Sequence, residues 1–104
     1  MHICEYLHVL PLDDAAQLLR TLGNPARLAI VDQLRHGEQC VHELVDALDL
    51  AQPLVSQHLR VLRDQRLVTG ERRGREIAYR ITDHHVLHIV DDAIGHSREP
   101  VRPT

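Results

Sequence analysis

Apolar residues recur at helical spacing along most of the chain, interrupted by one stretch where they alternate with polar ones. Residues 13–22 (DDAAQLLRTL) place two acids ahead of an apolar stripe, and Gly23-Asn24-Pro25 ends this helix and opens the next. Residues 26–35 (ARLAIVDQLR) predict a second amphipathic helix, stopped at His36-Gly37, and residues 41–48 (VHELVDAL) a short third one. After a brief connection through Gln52, residues 53–65 (PLVSQHLRVLRDQ) predict a fourth, with Leu54, Val55, Leu59 and Leu62 as its buried side. The period then changes. Residues 67–72 (LVTGER) and 76–81 (EIAYRI) read as strands joined at a hairpin tip, Arg73-Gly74-Arg75. Thr82 or Asp83 caps a last helix that runs to about Arg98, because Pro100 forbids much more. The expected fold is mainly α with a two-stranded β-wing, one domain over residues 1–104 with its core at 13–99 and a loose tail at 100–104.

Composition narrows this picture. A chain of 104 residues fits one small domain that gains from burying more surface in an oligomer. Tyr6 and Tyr79 are the only aromatic residues, which argues against an aromatic platform for stacked bases. No apolar run is long enough to span a membrane, and the opening Met-His-Ile-Cys-Glu lacks the basic start of a signal peptide. Two lone cysteines, Cys4 and Cys40, make no disulfide framework and favour a reducing, cytoplasmic setting. The formal charge of −3 hides an asymmetry: residues 56–81 hold seven of the twelve arginines against three acids. There is no lysine. One basic segment in an acidic chain suggests a localised contact with a polyanion.

The period change and the charge map coincide. Two short helices on a tight connection, the second rich in Ser, Gln and Arg, are the ingredients of a helix-turn-helix, and an arginine-tipped hairpin after it makes a winged helix. Gln52, Ser56 and Gln57 suit base edges in a major groove, with Arg60 and Arg63 flanking them. Arg72, Arg73 and Arg75 can reach phosphates or a minor groove. His58 lies in the same helix and is expected to pack as a half-buried structural residue. No second carboxylate base or substrate pocket accompanies these residues, so an enzyme is not expected.

Nine histidines add a second theme. Asp83, His85, His96 and Glu99 bring oxygen and nitrogen ligands of the kind Zn²⁺ takes in tetrahedral sites. His85 and His96 share a helix face but stand about 16 Å apart along the axis, too far for one ion with bonds of about 2 Å. An antiparallel copy of the helix would bring Asp83 and His85 of one protomer to His96 and Glu99 of its partner. Two sites per dimer follow, with Leu87, Ile89, Val90, Ala93 and Ile94 as apolar surface for the pairing. Two other readings stay open here. His84, His88 and Asp92 recur on one ridge and could bind a metal within one helix, or the segment is simply a histidine-rich helix end. Cys4, His8, Cys40 and His42 form a candidate second metal or thiol site, against a plain buried role for Cys40.

The segments LGNPARLAIVDQLRHGE, CVHELVDALDLAQPLVSQHLRVLRDQRLV, TGERRGREIAYRI and the D-x-H-x10-H-x2-E pattern at 83–99 together resemble the ArsR/SmtB family of metal-responsive winged-helix repressors. The resemblance covers about residues 13–99. It implies a homodimer, joined through its N- and C-terminal helices, that binds palindromic operator DNA without metal. Zn²⁺ at the Asp83, His85, His96 and Glu99 sites would then release the DNA, derepressing efflux or storage genes. It further implies that the second ring nitrogen of His96 reaches a backbone carbonyl after the recognition helix, here that of Arg66. Co²⁺ and Ni²⁺ are alternative effectors. The chain departs from the family's cadmium and lead sensors, which carry Cys-Val-Cys where Cys40-Val41-His42 stands. A thiol-responsive repressor using Cys4 and Cys40 is the alternative on the same fold. Pro100 disfavours helical geometry at Glu99, which leaves the fourth ligand open to water or another carboxylate.

Overall fold

The computed structural model describes residues 12–100. The element order is α1 (Leu12–Leu22), α2 (Pro25–Leu34), β1 (Gln39–Cys40), α3 (Val41–Leu48), α4 (Gln52–Asp64), β2 (Val68–Arg73), β3 (Glu76–Ile81) and α5 (His84–Ser97). All five expected helices and both strands are present, with ends shifted by a residue or so. The strand β1 is additional. Its two residues pair antiparallel with β3, Gln39 opposite Tyr79 and Cys40 opposite Ala78, giving a sheet ordered β1-β3-β2. Two residues are too few to show a period, so only the pairing reveals it.

The helix starts follow local chemistry. The Asn24 side chain accepts from the amides of Ala26 at 2.9 Å and Arg27 at 3.1 Å, and Pro25 supplies a preset φ at the first helical position. Glu43 accepts from the Cys40 amide at 2.9 Å at the start of α3. At the end of α4, the Leu67 amide bonds the Leu62 carbonyl and the Arg66 amide that of Arg63, both at 2.9 Å. This is a Schellman closure. It sets Arg66 at φ 61°, a left-handed position where glycine is usual. In the hairpin, Gly74 takes φ 65° between the paired residues Arg73 and Glu76. Gly70 lies opposite Tyr79, and a Cβ there would stand 3.0 Å from Ile77 Cγ2 and 3.1 Å from Tyr79 Cε1. The absent side chain is the room for the Tyr79 ring.

The core gathers Leu22, Ile30, Val31, Leu34, Leu44, Val55, Leu59, Leu62, Leu67, Val68, Tyr79, Val86 and Val90. It joins every described helix to the wing strands, so the reading helix, the wing and α5 rest on one packed unit. Two expectations change. Leu54 is 38 % exposed, and its place on the buried side of α4 goes to His58 at 8 %. Val55, His58, Leu59 and Leu62 make the i, i+3, i+4, i+7 stripe, and Leu54 sits about 90° off its centre. Val90 is fully buried in its own protomer, beside Val86 at the preceding turn, and cannot serve as dimer surface.

Candidate functional site

The exposed side of α4 and the hairpin carry the expected nucleic-acid contacts. Gln52, Ser56, Gln57 and Arg60 are all exposed, and Pro53, Ser56, Gln57 and Arg60 line one shallow groove. Their position follows from the core stripe: burying Val55, His58, Leu59 and Leu62 turns the polar residues of the same helix outward. Arg63 and Arg66 line a further groove with Val68, Thr69, Gly70 and Thr82, between the end of α4 and the wing.

His58 is held rather than displayed. Its Nδ1 accepts from Arg27 Nε at 3.2 Å, and Arg27 also donates to the Thr21 carbonyl at 3.1 Å. Burial, then the Arg27 charge, pushes the His58 pKa below its ordinary value, so the neutral ring is the native form. The residue therefore ties α4 to α2 and α1.

The wing arginines differ among themselves. Arg75 is exposed and has no ion-pair partner among the described residues. Arg72 donates to the Gly74 carbonyl at 3.3 Å. Arg73 is engaged by two carboxylates, Glu71 at 2.8 Å and Glu38 at 3.2 Å. Hydrogen bonding to Arg73 in turn holds the Glu71 carboxyl below its usual range. Nothing in the sequence pointed to Glu38, which is 35 positions away.

The four expected metal ligands fall into two exposed pairs at opposite ends of α5. At the start, Asp83 caps the helix, accepting from the His85 amide at 2.9 Å, and its Oδ1 lies 3.4 Å from His85 Nδ1. At the end, His96 Nδ1 lies 3.8 Å from Glu99 Oε2. Helix α5 closes at Ser97, so Glu99 stands in the turn beyond it, with its amide bonded to the His96 carbonyl at 3.1 Å. A tetrahedral ion with bonds of about 2.0–2.2 Å separates its ligand atoms by roughly 3.3–3.6 Å. Each pair thus approximates one edge of such a site, and their donors fit Zn²⁺. No three candidate ligands converge on one point among the described residues. The single-helix arrangement of His84, His88 and Asp92 gains no support: the His84 and His88 rings meet edge to face, with centroids 5.6 Å apart. No hydrogen bond joins His96 to Arg66 among the described residues.

Of the second candidate site, Cys4 and His8 lie outside the described residues. His42 Nδ1 stands 2.7 Å from Glu76 Oε1. Burial first, then the Glu76 and Glu43 carboxylates, push the Cys40 thiol pKa up, which works against a reactive thiolate.

No helix among the described residues is long and apolar enough to cross a membrane. A family model described as bacterial regulatory protein, arsR family, matches residues 24–69. The chain is 60 % identical over 88 residues to an HTH-type transcriptional repressor, SmtB, of Mycobacterium tuberculosis, covering 85 % of this chain and 65 % of that relative. It is 47 % identical over 92 residues to the HTH-type transcriptional regulator NmtR of the same species, covering 84 % of this chain and 77 % of NmtR. Among solved structures, the homodimeric winged helix-turn-helix DNA-binding domain of a possible ArsR-family regulator from Mycobacterium bovis superposes with a TM-score of 0.77 at 26 % identity, covering 89 % of this chain and 88 % of that one. With its helix order, its arginine hairpin and these likenesses taken together, the chain belongs to the ArsR family of bacterial winged helix-turn-helix regulators.

Proposed function

We propose that this protein is a metal-responsive transcriptional repressor. Two copies pair through α1 and α5, duplex DNA is read by α4 and gripped by the wing, and Zn²⁺ at two sites between the α5 helices weakens the DNA contact. The observation that carries this reading is the pair of donor sets at the ends of α5, each near the edge length of a tetrahedral site and each incomplete in one chain. His85, Ile89, Asp92 and His96 follow i, i+4, i+7, i+11 and form one exposed or half-buried stripe, which an antiparallel copy would cover. Leu12 and Leu19 of α1, 58 % and 57 % exposed, add apolar surface to the dimer. The repressor and homodimer named among the relatives support the same assembly.

In that dimer the metal supplies a closed four-ligand cross-link between two helices. The chain's own residues do the rest. Asp83 fixes the start of α5 by capping it through Oδ1, and its carboxylate would also be an oxygen ligand of the ion. His96 would hold the ion with one ring nitrogen, leaving the other free to donate to the Arg66 carbonyl, to which no hydrogen bond is made among the described residues. Metal and DNA then act on one another through a coupling free energy, typically about 1–3 kcal/mol. Co²⁺ and Ni²⁺ accept the same nitrogen and oxygen donors, so a titration must compare all three. The test is fluorescence anisotropy with an operator selected from random duplexes. Zn²⁺ is expected to lower its affinity, and an unchanged affinity in the presence of saturating metal would refute the reading.

A further inference from the structure

Among the described residues, Arg73 is the wing-tip arginine already bound by carboxylates: Glu71 of the wing takes Nη1 at 2.8 Å, and Glu38 takes the other edge of the guanidinium. Glu38 grips it at two points, Oε1 accepting from Nε at 3.2 Å and Oε2 from Nη2 at 3.3 Å. Glu38 belongs to the link between α2 and β1 rather than to the wing, and that link is fixed at both ends. On one side Arg35 pairs with Asp32 of α2 at 2.7 Å and with Asp91 of α5. On the other, β1 is bonded to β3 through Gln39 and Tyr79. These contacts set where the backbone of Glu38 stands, and from there its carboxylate reaches across to Arg73.

A carboxylate held in two-point contact uses the same guanidinium donors that a phosphate uses. The two anions cannot both take the Nε and Nη2 donors of one side chain. Arg72 and Arg75, next to it in the hairpin, have no carboxylate partner among the described residues, so the restraint is specific to position 73. We propose that Glu38 is an intramolecular competitor of DNA phosphate for the Nε and Nη2 donors of Arg73, a positioning residue that withholds this edge of the guanidinium until the duplex displaces it, while Glu71 keeps Nη1. The proposal rests on the DNA-binding reading above. Both partners are substantially exposed, so water and salt already weaken the pair. Its loss is worth a change in affinity of about 1.5–5-fold per wing, the range measured for exposed ion pairs.

The experiment is a double-mutant cycle of wild type, Glu38→Gln, Arg73→Gln and the double variant. Each is titrated by fluorescence anisotropy against a fluorescein-labelled, mixed-sequence duplex over a salt series. Such a duplex reports phosphate contacts, the part of binding the wing supplies. In the wild-type background, Glu38→Gln is expected to tighten binding about 1.5–5-fold per wing, about 2–25-fold for a dimer that seats both wings, and to steepen the log-affinity against log-salt slope by up to about 0.9 per wing. In the Arg73→Gln background the same change should do nothing. Equal tightening in both backgrounds would overturn the proposal, because it would report only the loss of a negative charge near DNA. No tightening in a protein that otherwise binds would overturn it as well. If wild type and all variants show no salt-dependent binding, the DNA-binding reading itself falls, and the proposal with it.

Discussion

The cross-protomer metal site makes a prediction about mixtures that no single-chain site shares. His85 and His96 are eleven residues apart on α5, about 16 Å along the axis at 1.5 Å per residue. An ion whose bonds are about 2 Å long meets only one of them from a given chain. In a two-fold dimer each site then combines Asp83 and His85 of one protomer with His96 and Glu99 of its partner. A homodimer of His85→Ala loses one histidine from both sites, and so does a homodimer of His96→Ala. In a mixed dimer the two substitutions fall in the same site, and the other site is intact. Random reassortment of equal amounts makes half of the dimers mixed, so about a quarter of the wild-type metal capacity should return. The assay is to unfold the two variants together, refold them, and titrate with Co²⁺, whose absorption reports tetrahedral coordination. Each variant alone is the baseline. A mixture that binds no more than the average of its parents would refute the shared site, as would full capacity in either parent, which points to His84, His88 and Asp92.

Two further outcomes test how the reading helix is held. His58 has a native pKa below its ordinary value, so on acidification the unfolded chain takes up the proton first. Stability is therefore complete above about pH 6.5 and is lost as pH falls toward the lower native value. Thermal melts across this range should show that slope, and His58→Gln should flatten it; an unaltered slope in the variant would assign the pH dependence elsewhere. Asn24→Ala removes the side-chain acceptor that caps α2 and should cost about 1 kcal/mol in urea unfolding, whereas Asn24→Asp should retain most of the stability. A loss within error for the alanine variant would show that the cap contributes nothing.

Much of this protein was written in local patterns. The helices announced themselves through period and stop signals such as Gly23-Asn24-Pro25, and the hairpin through its alternation and its Arg-Gly-Arg tip. These features are legible because each depends on residues within a turn or two of one another. The separation of His85 from His96 was equally legible, because helix rise alone sets it.

Contacts between distant segments were not legible. The sequence offered Leu54 as core and left His58 half-buried, because a period defines a stripe only to within the width of a side chain. The packing of α4 on α2, with Arg27 bonded to His58, chose its centre. Val90 read as dimer surface because one apolar helix face looks like another until the domain's own core claims it. The strand β1 had too few residues to carry a pattern, and its existence depends wholly on β3 as partner. Likewise Arg72, Arg73 and Arg75 are equivalent in sequence, and only the placement of Glu38 beside Arg73 distinguishes them. The sequence by itself determined the elements, the basic segment and the impossibility of a one-chain site through His85 and His96, since rise, period and charge are properties of neighbours. Tertiary structure alone decided which faces are spent on the core and which charges are already paired, because burial and ion pairing are set by distances between residues that the chain order keeps far apart.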